Sequence, residues 1–189
     1  VHELRREYDA ILVGAGSAAA DDPLLTDRSG LPRHRPLARV LLDDELRLSP
    51  DSRLAQTARE TPLIVFTSAT ADERAAATLR ERGAEIVREA EGARDLGAVL
   101  AELQRRSLQS VLVEGGARVA GMFLDAGLVD KVSFFVAPLI IGGGDAKAAV
   151  TGKGAARIAD STRLRNVEIR QHGSDVEITG YPKTVTSDG

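Results

Sequence analysis

Two stretches of this chain combine residue types that can do chemistry, and a third is rich in glycine. The first is Ser110-Val111-Leu112-Val113-Glu114 running into Gly115-Gly116. A strand that ends in two glycines before a helix lets backbone approach a ligand closely. The helix start then offers unpaired N–H groups and a partial positive charge to a phosphate. The plainer alternative is a tight strand-to-helix turn with Glu114 solvated. The spacing matches neither G-x-G-x-x-G nor G-x-x-x-x-G-K-[ST]. The second stretch runs from Gly14-Ala15-Gly16-Ser17 through Asp21-Asp22-Pro23-Leu24-Leu25-Thr26-Asp27-Arg28. It joins two glycines, carboxylates, hydroxyls and an arginine. Arg28 can grip a phosphate with two parallel hydrogen bonds, and Asp21 can accept a hydrogen bond from a ribose or nicotinamide group. Against this stands a turn capped by Asp21 or Asp22, with Arg28 in solvent. The third, Gly142-Gly143-Gly144, reads more simply as a loose loop.

Bulk properties narrow the classes. The chain has 189 residues, 43% hydrophobic and 28% charged, with net charge −3, which suits one globular α/β domain. The balanced charge and 3% aromatic content argue against a nucleic-acid partner. No apolar run approaches the roughly 20 residues that span a bilayer, so no membrane is expected. Cysteine is absent, which excludes disulfides and thiolate chemistry and fits a cytoplasmic protein. His2, His34 and His172 show no metal-ligand spacing, and no metal site is expected.

The elements that must position these residues follow from periodicity. Residues 3–8 read as the end of a helix. Ala10–Val13, Arg39–Asp43, Pro62–Thr67, Ala84–Val87 and Val111–Glu114 read as short buried strands. Gly14-Ala15-Gly16 reads as a glycine loop. Residues 27–37, with Gly30, Pro32 and Pro36, read as an exposed loop. Helices are predicted over 71–82, closed by Gly83, over 95–106 and over Ala117–Ala126. Lys131–Leu139 is a further strand, and Asn166–Tyr181 an antiparallel pair turning near Gly173-Ser174. Strands alternating with helices, then strands alone, predict an α/β fold with a mixed sheet flanked by helices. One domain is expected over 1–183, with a flexible tail at 184–189.

Taken together and in order, several segments resemble the reductase domain of the bacterial bifunctional deaminase/reductase of riboflavin biosynthesis. They are His2-Glu3-Leu4-Arg5, Asp9–Gly14, Ala20-Asp21-Asp22-Pro23-Leu24-Leu25-Thr26-Asp27-Arg28, Arg39–Asp43, Val113-Glu114-Gly115-Gly116, Ala126–Asp130, Ala137-Pro138 and Ile141-Gly142. The Ala-Asp-Asp-Pro block is the specific one. The resemblance implies a dihydrofolate-reductase-like three-layer α/β/α fold with a mostly parallel mixed sheet and a C-terminal antiparallel hairpin. It implies NADPH-dependent reduction of 5-amino-6-(5-phosphoribosylamino)uracil, with hydride delivered to C1′ of the opened ribose as an imine, and it implies a homodimer. Alternatives are a reductase of the same fold acting on a pterin or folate, and a non-catalytic dinucleotide- or phosphosugar-binding module.

The resemblance also implies residue roles. Arg5, Leu25, Arg28 and Glu114 match substrate contacts, the arginines near the ribose phosphate. Ser17 and Asp21 match cofactor contacts, and Asp21 is the candidate catalytic residue. Asp44 stands where the family often has Ser; its carboxylate would repel a 2′-phosphate and open the way to NADH. Gly116, Ala117, Arg118, Val119, Ala120, Gly121 and Met122 match the helix start under the pyrophosphate. The family carries a Lys-x-Ala-x-Ser-Leu-Asp-Gly-like strand and a Ser-x-Trp-Ile-like loop ahead of Val1, as well as a zinc-binding deaminase domain, so a truncated chain is expected.

Overall fold

The computed structural model describes residues 2–183. The expected flexible tail, 184–189, lies outside the described residues. The chain forms two compact units, divided between Val119 and Ala120.

The first unit is built on a parallel sheet. Its elements are α1 (His2–Glu7), β1 (Ala10–Gly14), α2 (Ala15–Asp21), β2 (Ala38–Leu42), α3 (Arg53–Gln56), β3 (Leu63–Ser68), α4 (Glu73–Glu81), β4 (Glu85–Glu89), α5 (Leu96–Arg105), β5 (Val111–Val113) and the first turn of α6 (Ala117–Asp125). The strand order is β4-β3-β2-β1-β5. Leu12 faces Val40 on one side and Val113 on the other. Every residue of β1 and β2 is buried, which is why these strands read as continuous apolar runs rather than alternating ones. Ile11, Val13, Leu41, Leu54, Val65 and Leu79 share one core cluster, each fully buried side chain contributing about 1.5–3 kcal/mol.

Local chemistry sets the helix ends. The Asp72 side chain accepts the Arg74 N–H at 3.1 Å, and Asp95 accepts the Ala98 N–H at 2.9 Å. Both are N-caps. Gly83, at φ +102°, lets the chain leave α4 in a conformation unfavourable to other residues.

One buried strand residue is polar. Arg39 of β2 is fully enclosed, and burial pulls its guanidinium down to about 10. It donates to Thr57 Oγ1 at 2.7 Å, to the carbonyls of Thr57 at 3.1 Å and Thr61 at 2.5 Å, and to Leu24 O at 3.3 Å. Its Nε has no partner among the described residues. The side chain thus staples the 22–26 and 57–61 connections to the sheet.

The second unit holds the rest of α6 and an antiparallel sheet of β6 (Val132–Val136), β7 (Leu164–His172) and β8 (Asp175–Pro182) in the order β6-β8-β7. Phe134 and Ile169 both face Ile178 across the ladder. The register shifts between Arg165 and Glu168, beside Asn166 at φ +51°. The hairpin turns at Gly173, φ +64°. The parallel and antiparallel strands therefore lie in two sheets. Periodicity identifies a strand but not its neighbour across a helix, so the sequence does not distinguish this from one mixed sheet.

Candidate active site

Strands β2, β3 and β4 stack successively on one side of β1, and β5 lies on the other. The connections leaving the carboxyl ends of β1 and β5 therefore diverge. In open parallel sheets, ligands bind at such a switch point. Gly14 closes β1 and is followed at once by α2; Val113 closes β5 and is followed by Glu114-Gly115-Gly116 and α6.

The glycines here are fixed by the protein itself. A Cβ on Gly115 would lie 2.8 Å from the Val13 Cα and 2.9 Å from the Gly14 nitrogen, both backbone atoms. A Cβ on Gly14 would lie 2.7 Å from Val119 Cγ2. These residues let the α6 start pack against the end of β1. The sequence expected a glycine loop at 14–16. Instead Ala15 opens α2 directly, with Gly14 as an extended N-cap, because the bare Cα is needed for close packing rather than for a loop. Ser17 Oγ accepts the Gly116 N–H at 2.8 Å. Ser17 and Gly116, expected as separate cofactor contacts, are thus bonded to each other. Gly116 and Arg118 are exposed at the start of α6, and the positive end of that helix suits an anion.

Arg5 and Glu114, 109 residues apart, form a two-point ion pair: Nε to Oε1 at 2.8 Å and Nη2 to Oε2 at 2.6 Å. Arg5 Nη1 also donates to Thr26 O at 3.0 Å. The side chains are 13% and 19% exposed. One face of the Arg5 fork is therefore committed to Glu114, so the pair presents one joint surface rather than two independent contacts.

The 21–33 segment divides by role. Asp21 is exposed at the end of α2. Asp22 is the left-handed cap of α2, and its Oδ1 accepts the Arg53 N–H at 2.9 Å. The capping role belongs to Asp22, which leaves the Asp21 carboxylate to solvent. Leu25, at φ +51°, has its side chain in the core at 4% exposure, so only its backbone is available to a ligand. Arg28 is exposed.

The family model for the RibD C-terminal domain matches residues 1–178. The chain belongs to the RibD C-terminal domain family. It is 35% identical over 181 residues to riboflavin biosynthesis protein RibD of Bacillus amyloliquefaciens, covering 96% of this chain and 48% of that protein. It is 39% identical over 166 residues to the 2,5-diamino-6-ribosylamino-4(3H)-pyrimidinone 5′-phosphate reductase of Methanothermobacter thermautotrophicus, covering 87% of this chain and 75% of that protein. Among solved structures, a diaminohydroxyphosphoribosylaminopyrimidine deaminase/5-amino-6-(5-phosphoribosylamino)uracil reductase from Thermotoga maritima matches with TM-score 0.78 and 29% identity, over 96% of this chain and 47% of that one. The chain thus spans about half the length of the RibD protein it matches. The dihydrofolate-reductase-like architecture is that of the RibD reductases.

Within this RibD C-terminal domain, Asp44 follows the end of β2. Its Oδ1 accepts the Ala93 N–H at 2.6 Å, and its Oδ2 meets Arg94 Nε at 3.1 Å. The Asp44 carboxylate, expected beside the cofactor, is thus held by Ala93 and Arg94, a pairing that local sequence pattern does not encode. Ala117, Arg118 and Val119 start α6. Ala120, Gly121 and Met122 continue it into the second unit, where a Cβ on Gly121 would overlap the Thr151 carbonyl. That glycine is required by the packing of the 151–152 loop on the helix.

Sequence reasoning missed Arg33 and Asp27. The 27–37 stretch reads as an exposed loop, and most of it is exposed, yet Leu37 is buried, and the Arg33 and Asp27 side chains are only 16% and 7% exposed. The Gly, Pro and Arg content that marks a surface loop hides an arginine that donates to the Arg5 carbonyl of α1 and to the Tyr8 carbonyl just after it.

Proposed function

We propose that this chain reduces 5-amino-6-(5-phosphoribosylamino)uracil to 5-amino-6-(5-phosphoribitylamino)uracil, as the reductase of riboflavin biosynthesis, with NADPH as donor. The observation that carries the reading is the Arg5–Glu114 pair set at the sheet's switch point with the exposed Arg28 loop, in a chain whose relatives bear reductase names. A phosphorylated substrate suits that cluster, because an arginine fork can grip a phosphate with two parallel hydrogen bonds.

The residues fit a dinucleotide. The start of α6 offers exposed backbone beside Ser17, and Arg94 pairs with Asp44 at 3.1 Å, a cation that would offset the carboxylate's repulsion of a 2′-phosphate. The nicotinamide supplies a hydride when bound. The chain's share is to bind, orient and exclude water. Gly116 to Met122 lie along the helix that would carry the pyrophosphate. Ser17 and Asp44 would face the cofactor. Asp21, an exposed carboxylate at the end of α2, would hydrogen-bond at the reacting centre. Arg28 would hold the substrate phosphate, the backbone of Leu25 would support it, and Arg5–Glu114 would line its sugar. The reading includes a homodimer working in the cytoplasm, supported by the apolar side chains exposed on the second unit and the absence of cysteine.

The test is consumption of reduced nicotinamide in the presence of the phosphoribosyl aminouracil, NADPH and NADH compared. Turnover with NADPH is expected, and in Arg28→Ala the KM for the aminouracil rises far more than that for NADPH. Turnover of a pterin in its place, or an equal loss toward both ligands, overturns the assignment.

A further inference from the structure

Arg33 lies in a stretch without regular structure, yet its guanidinium is sequestered. Nη1 donates to the Arg5 carbonyl at 2.8 Å and Nη2 to the Tyr8 carbonyl at 2.6 Å. Nη1 also faces Asp27 Oδ2 at 3.3 Å. The two carbonyls belong to the carboxyl end of α1 and its exit, where orphan acceptors attract cations. On the other side, Asp27 Oδ1 accepts the Ser29 N–H at 2.9 Å, and Thr26 O is held by Arg5 at 3.0 Å. Arg28 thus sits between a pinned carbonyl at 26 and a pinned amide at 29. The helix that carries Arg5 is pinned by the same Arg33.

We infer that Arg33 is a positioning residue for recognition of the substrate's phosphate: it braces Asp27, which holds the Ser29 amide, and the end of α1, whose Arg5 holds the Thr26 carbonyl and meets Glu114. The inference rests on the substrate proposed above. Without the clip, a segment containing Gly30 at φ +72° is free to wander, and binding must then bear the cost of ordering it. The role requires a planar fork. Four acceptors in divergent directions, the Arg35 carbonyl at 3.2 Å from Nε among them, suit a guanidinium, whereas an ammonium on a flexible stem satisfies the ion pair without spanning both α1-end carbonyls.

The experiment compares Arg33→Ala, Arg33→Lys and Asp27→Asn with the parent chain. Titration calorimetry measures the affinity of the phosphoribityl product and of its phosphate-free counterpart. Steady-state kinetics give the KM for each ligand. In Arg33→Ala, the preference for the phosphorylated product is expected to fall by about tenfold, with the KM for NADPH within about twofold of the parent, since the loss is of preorganisation on one ligand only. Arg33→Lys falls between the two. Should Arg33→Ala not fold, Arg33→Lys and Asp27→Asn carry the test by the same ratio. An unchanged preference, or equal losses toward phosphorylated product, phosphate-free product and NADPH, overturns the positioning role. A parent chain that neither binds nor reduces the phosphoribosyl compound overturns the proposed function, and this role with it.

Discussion

The Arg5–Glu114 pair is the most informative contact at the residue scale, because its worth depends on what is left when half of it is removed. Both groups are largely withdrawn from water. In Glu114→Ala the guanidinium keeps only the Thr26 carbonyl. Breaking a fully buried pair costs about 3–5 kcal/mol, and the residual exposure here screens part of that. A loss of about 2 kcal/mol is expected in urea unfolding. In the double variant Arg5→Met/Glu114→Leu, which removes both charges, stability should largely return. If the double variant is as weak as the sum of its single changes, the pair is not coupled. Asp27 gives a pH test. The Ser29 backbone N–H, more than any other group, holds its carboxyl below the ordinary value. The folded state therefore gains stability from ionised Asp27 above about pH 4, and loses it as the pH falls through the lowered folded value. Between about pH 6 and pH 3, the parent should lose more stability than Asp27→Asn. Parallel curves would remove Asp27 from the account.

At the element scale, two glycines that follow the ends of the neighbouring strands β1 and β5 should respond in opposite ways. Gly16 lies within α2 with nothing within 4 Å of an added Cβ, so Gly16→Ala is expected to stabilise by about 0.5–1 kcal/mol through helix propensity. Gly115 abuts the backbone of β1, which cannot rotate away as a side chain can. Gly115→Ala should cost about 2–3 kcal/mol and weaken NADPH binding by displacing the start of α6. Thermal melts with and without NADPH separate the two effects. Matching melts for both variants would disprove the close approach of β5 and β1. These glycines also show what a sequence discloses. The pattern Val-Glu-Gly-Gly revealed a strand, a turn and a helix, and the apolar runs of β1, β2 and β3 were legible because parallel strands are buried on both faces. α3, four residues long, is too short for periodicity to register. The reason for each glycine, and the meeting of Arg5 with Glu114, depend on pairings across the sheet that local pattern does not encode.

The molecule as a whole presents an imbalance between its units. The first encloses its apolar side chains around a parallel sheet. The second rests on three antiparallel strands, and many of its apolar residues face solvent: Ile140 is 99% exposed, Ile141 90% and Ile169 69%. Strands of this kind need a covered face to be stable, and large apolar side chains left in solvent are what an association site would cover. A second copy of the chain is the occupant consistent with the homodimer proposed above. Sedimentation over a dilution series should then give twice the chain mass, and the melting temperature should rise with protein concentration by mass action. Ile140→Asp/Ile141→Asp should sediment at the single-chain mass, with a melting temperature that no longer depends on concentration. Because neither residue belongs to the ligand-binding set, NADPH should still raise the melting temperature of this variant. A parent chain that sediments as a single copy throughout the series would refute the dimer while leaving the proposed chemistry at the end of β5 standing.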